Sequence, residues 1–111
     1  MHRIIGLKVI DAARTDTCIT LFFRNGARAD WRMMKTDECF HEENSHNKLI
    51  GREITKVSEE TYTTGFEFWK EIKVYANNGS YLNLAVCHPT REGVEQLVAF
   101  SFTPPDGEAA S

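Results

Sequence analysis

The sequence predicts a mostly β domain: antiparallel sheet built from two related β-hairpin units, with one or two short helical turns. Three observations carry this expectation. Apolar and polar residues alternate with period two along four segments. An Asn-Gly turn joins those segments in pairs. An apolar-apolar-Gly motif precedes each pair. Period two sends successive side chains to opposite faces of a sheet, so each segment buries one row and exposes the other.

The elements follow in chain order. Ile4-Ile5-Gly6 opens the first unit; both apolar residues are expected in the core, with glycine supplying a positive φ where the chain turns. Ile19, Leu21 and Phe23 form one row, and Ala29, Trp31 and Met33 the next. Arg24-Asn25-Gly26 between them predicts a hairpin over about 17–34, closed by a type I′ turn. The joining segment from Thr36 to Lys48 is polar and shows no alternation, which predicts a loop with one helical turn. Leu49-Ile50-Gly51 opens the second unit and leads into a strand from Glu53 to Ser58. Rows Ile72, Val74, Ala76 and Leu82, Leu84, Val86 flank Asn77-Asn78-Gly79, a second hairpin over about 66–87. Lys70 interrupts the apolar row ahead of it and is read as a bulge. His88-Pro89-Thr90 ends the strand, Arg91 to Gln96 is a turn or short helix, and Leu97 to Phe102 is a closing strand.

The two units read as a repeat. Ile4 to Val9 aligns with Leu49 to Ile54 at an offset of 45, and Ile19 to Gly26 with Ile72 to Gly79 at an offset of 53. The second unit therefore carries an insertion of eight residues, around Thr61 to Phe68.

With 111 residues the chain holds one domain, expected over 1–102 (units 3–34 and 48–87, closing strand 97–102), with a disordered tail over 103–111. A hydrophobic content of 41% and a charged content of 26% are globular values and argue against disorder. The net charge of −3 argues against direct coating of DNA. Apolar runs are too short for a membrane helix, and no secretory signal is expected at the start. Three cysteines without a pairing pattern predict free thiols in a reducing compartment, hence the cytoplasm.

The layout resembles a family of small proteins of unknown function found mostly in bacteriophages and prophages. The likeness rests on Ile4-Ile5-Gly6, the hairpin at Asn25-Gly26, Asp37-Glu38-Cys39, Leu49-Ile50-Gly51 and Phe66-Glu67-Phe68-Trp69-Lys70, and spans roughly residues 3–102. Two departures stand out: Cys39 is alone where the family tends to carry adjacent cysteines, and HPTREG replaces a connection rich in Gly, Asn and Tyr. The resemblance implies a phage or prophage setting, with the host cytoplasm as location. The leading expectation is a non-catalytic accessory protein that antagonises a host defence system by stoichiometric binding of a protein or a signalling nucleotide. A structural or virion-associated protein and a small hydrolase remain the alternatives.

Candidate site residues fall in two groups. Trp69, Tyr81, His88 and Arg91 supply aromatic faces and a cation, the set a ligand with a flat ring and an anionic group would need. Asp37, Glu38, Glu42 and Glu43 form an acidic segment suited to a basic partner protein. Cys39, His41 and His46 are potential zinc ligands, but Cys39 and His41 are one residue apart and no second close pair completes four ligands. Neither metal nor cofactor is therefore expected. Cys87 and His88 are adjacent on a strand and point to opposite faces, so no nucleophile and base pair emerges and no enzyme is expected. The closing strand LVAFSF carries no charge; at a sheet edge it predicts a homodimer.

Overall fold

The computed structural model describes residues 1–34, 39–44 and 46–105, with side chains described outside 39–44. It is mostly β, as the alternation predicts. A 3-10 turn (His2–Ile4) precedes β1 (Val9–Arg14), β2 (Cys18–Phe23), β3 (Arg28–Met33) and β4 (Cys39–Asn44). A second 3-10 turn (His46–Leu49) precedes β5 (Ile54–Thr64), β6 (Glu67–Ala76) and β7 (Tyr81–His88). The helix α1 (Arg91–Glu95) and strand β8 (Val98–Thr103) follow. No helix among the described residues is long and apolar enough to cross a membrane.

Two four-stranded antiparallel sheets form, in the orders β1-β2-β3-β8 and β4-β7-β6-β5. Each unit thus supplies three consecutive strands to its own sheet and sends its fourth to the other. β4 leaves β3 and pairs with β7, while β8 leaves β7 and pairs with β3. The exchange ties the two units together along non-local ladders.

The sequence repeat is a structural repeat, bond for bond. Gly6 N donates to Ile54 O (2.8 Å) and Gly51 N to Val9 O (2.7 Å); Val9 N donates to Arg52 O and Ile54 N to Leu7 O (both 2.9 Å). These reciprocal bonds surround an antiparallel bridge between Lys8 and Glu53, where the two units meet. Arg24 N reaches Lys8 O and Asn77 N reaches Glu53 O, both at 2.9 Å. Both first strands also carry the same irregularity, between Val9 and Asp11 and between Ile54 and Lys56. Gly6 and Gly51 have φ of +90° and +83°, a region costly for any residue with a Cβ, which is why the motif ends in glycine at both places.

Inner faces of both sheets share one core. Ile19, Leu21, Phe23, Ala29 and Trp31 from one sheet cluster with Ile72, Val74, Ala76, Leu82 and Leu84 from the other. Size is exchanged between equivalent positions. Phe23 and Trp31 of the first unit correspond to Ala76 and Leu84 of the second, while Ala29 corresponds to Leu82. Such large-for-small exchange lets two unequal faces fill one interior at native density.

Four sequence expectations need correction. Residues 39–44 form a strand where a loop is expected. Their ladder to β7 is made of backbone groups, which any side-chain pattern can supply. Only the first residue of each apolar pair enters the core. Ile4 and Leu49 end their 3-10 turns fully buried, but Ile5 and Ile50, the residues just past those turns, are 42% and 39% exposed, Ile5 with extended backbone that turns its side chain away from the core. The Asn-Gly turns are not type I′, since Asn25 and Asn78 have negative φ. In each, glycine N–H bonds back three residues (Gly26 to Phe23 O, Gly79 to Ala76 O), giving a three-residue loop with glycine alone at positive φ. Lys70 is no bulge, because the β6 ladders run through it unshifted and the residue is only 7% exposed.

Candidate functional site

The departure from internal symmetry marks the candidate site. In the first unit β1 and β2 close quickly, with Thr15 N donating to Cys18 O at 2.8 Å. In the second unit the corresponding hairpin runs on as an arm, from Glu60↔Glu71 to Thr64↔Glu67. Its turn places Gly65 at φ +59° and leaves Phe66 97% exposed.

The arm has two chemically different faces. On one, Tyr62 and Trp69 are cross-strand partners whose rings stack with centroids 6.5 Å apart and planes 7° apart. The Tyr62 hydroxyl donates to Glu71 Oε2 at 3.2 Å. Further along this face Glu71 also pairs with Lys73 at 3.1 Å, and that carboxylate holds the Lys73 ammonium above its usual range. The opposite face carries the paired positions Thr61↔Lys70 and Thr63↔Phe68, with α1 alongside.

α1 is short, and its local sequence explains its start. Thr90 caps it, accepting from Gly93 N at 3.0 Å, and Glu92 lies in the first turn. Val94 buries beside Met33, Val86 and Leu97. The His88 ring packs where a Cβ on residue 93 would be, so only glycine fits there, and its Nδ1 accepts from Thr90 N at 3.0 Å.

Between arm and helix lies a cleft of about 250 Å³ lined by Thr61, Tyr62, Thr63, Phe68, Arg91 and Glu95. The Arg91 guanidinium sits 5.7 Å from the Phe68 ring centroid. Glu95 accepts from the Thr61 hydroxyl at 3.0 Å and lies 3.6 Å from the Lys70 ammonium, which pairs more closely with Glu59 at 2.6 Å. Lys70 thus stands between two carboxylates, Glu59 and Glu95, and with Arg91 on the cleft wall two cations balance two anions. The arrangement sets a guanidinium beside an aromatic ring, a place for a hydrogen-bonding group with an apolar stem against Phe68.

The structure separates the four expected ligand residues. Arg91 lines the cleft. His88 opposes Phe68 in the ladder and shares its face, but its ring is committed to Thr90 and Gly93. Trp69 lies on the other face of the arm, opposite Cys87. Tyr81 pairs with Tyr75, their ring centroids 5.4 Å apart, six residues along β7 from Cys87 and so about 20 Å from Trp69. Trp69, Tyr81 and Arg91 therefore do not form one platform, because register sets the first two at opposite ends of the strand pair and the path of α1 sets Arg91 on the other face.

Asp37 and Glu38 lie outside the described residues, as do the side chains of Glu42 and Glu43 within β4. Cys39 and His41 occupy β4 positions opposite Cys87 and Ala85, and His46 begins the second 3-10 turn. Among the described residues no group of three or more His, Cys, Asp or Glu is placed to hold a metal. Phe66, Phe68, Lys70 and Glu95, which the structure brings to this candidate site, are not among the residues singled out from sequence. The available signal was the insertion itself, which breaks the repeat over the arm. Comparison with protein-family models, curated proteins and solved structures gives no match.

Proposed function

We propose that this chain is a non-catalytic binding protein that recognises a partner protein through the β5–β6 arm. The observation that carries this reading is Phe66, an aromatic ring 97% exposed at the tip of a hairpin extension that the sister unit lacks. Leaving such a ring in water is unfavourable, and aromatic residues presented this way are typical anchors for a partner's pocket. The neighbouring cleft supports a protein over a nucleotide. At about 250 Å³ it falls below the usual range for small-molecule sites, roughly 300–1,000 Å³, and fits a single side chain of a partner against Phe68 and Arg91. The likeness in layout to small phage and prophage proteins makes a host defence protein, met in the host cytoplasm, the partner class this reading expects.

Affinity purification from bacterial cells expressing wild type or Phe66→Ser tests it. One host protein should be enriched with wild type and lost with Phe66→Ser, a drop of about 30-fold or more in affinity for a hot-spot residue. Stability should stay within about 0.5 kcal/mol, as for other exposed positions. Equal enrichment by both proteins would remove the arm from recognition.

A further inference from the structure

We propose that two copies of this chain pair through their β8 strands, forming a two-fold dimer in which one sheet continues from copy to copy. The four edge strands of the two sheets are β1, β8, β4 and β5. Three of them carry features that discourage edge-to-edge association. β1 is irregular between Val9 and Asp11 and contains Asp11 and Arg14. β5 is irregular between Ile54 and Lys56 and contains Lys56, Glu59 and Glu60. β4 is irregular between Glu42 and Asn44 and contains Glu42 and Glu43.

β8 has none of these. It pairs with β3 without a register shift, from Arg28↔Thr103 to Met33↔Val98, and its sequence VAFSFT holds no charge and no proline. A regular, uncharged edge with unpaired backbone groups is a template for another strand.

The chain's own tail does not take that place where it is described. Pro105 lies beside Gly26, at the β2–β3 turn, so the described backbone beyond Thr103 continues along β3 to the end of the sheet. A second β8 fits on three counts. The paired strands carry no charge of their own; a cation, Arg3, packs against their inner row, its guanidinium 4.4 Å from the Phe102 ring centroid on the inner face. Antiparallel pairing about a two-fold axis is self-complementary. With the axis at Ser101, Phe100 faces Phe102 of the other copy, extending the half-buried inner row of Val98, Phe100 and Phe102 across the junction. Ala99, Ser101 and Thr103 alternate with that row and are exposed. The dimer would carry two arms, so a partner that is itself multimeric would be held with avidity.

Light scattering after size exclusion, at about 100 µM and after stepwise dilution, reads the state directly, because an edge interface of modest area implies micromolar affinity. Wild type should show about twice the 12.7 kDa chain mass and fall toward it on dilution. Ser101→Lys sets two cations opposite one another at the axis and should give a folded monomer throughout; Ala99→Lys, also at an exposed position, should do the same. Ala13→Lys places an equal charge on the exposed side of β1 and should leave the dimer intact. A monomeric wild type at every concentration overturns the proposal. So does a dimer that survives both β8 lysines, or that Ala13→Lys abolishes. None of these variants touches Phe66, so failure here leaves the arm's role standing.

Discussion

Trp31→Ala should cost about 3–5 kcal/mol of folding stability, the range for emptying a fully buried large aromatic site. Trp31 lies between the sheets, its ring centroid 5.2 Å from that of Phe100 and its Nε1 3.3 Å from Met1 Sδ. Removing it opens a cavity under the edge strand β8 and strips that strand of its main inner contact. Trp69→Ala should cost less, about 1–2 kcal/mol, because that ring is half-buried and stacks on Tyr62, itself 39% exposed. Urea denaturation of both variants measures the difference, with the remaining tryptophan as reporter in each. A larger loss at Trp69 than at Trp31 would place the core on the wrong face of the second sheet.

Alanine at Ile4 or at Leu49 should each cost about 2–5 kcal/mol, and the two losses should be similar. Both residues close a 3-10 turn, both are fully buried, and each stands two residues ahead of the glycine that bonds to the other unit. Their neighbours behave differently. Ile5→Ser and Ile50→Ser should cost about 1 kcal/mol or less, because about two-fifths of each residue is already exposed. Thermal denaturation should remain a single transition in every variant, since β4 and β8 are built into the opposite sheets and neither unit can melt alone. Two separated transitions in Leu49→Ala would contradict the strand exchange.

Local chemistry was legible and long-range pairing was not. The rows Ile19/Leu21/Phe23 and Leu82/Leu84/Val86 announce their buried faces, because alternation is a property of neighbours. Repetition of the apolar-apolar-Gly and Asn-Gly motifs announces the two units for the same reason. The exchange of β4 and β8 leaves no such mark. Cys39–Asn44 is chosen as a strand by the open side of β7, and backbone groups make that choice without a side-chain code. Lys70 reads as a defect in an apolar row because its two carboxylate partners, Glu59 and Glu95, come from other elements. Arg91 was identifiable from the proline stop ahead of it and from its place at a hairpin end. Its link to Phe68 depends on register and on the path of α1, and neither is written locally. Parity correctly set Trp69 and Tyr81 on one face; only register reveals that they stand at opposite ends of it.

The central claim is that recognition resides at the tip of the β5–β6 arm, and photo-crosslinking from that tip tests it most directly. A photoreactive phenylalanine analogue placed at Phe66 should crosslink one host protein in bacterial cells. The same analogue at Asn78, in the tight turn between β6 and β7, should crosslink none above background. Equal products from both positions, or none from position 66, would contradict the account.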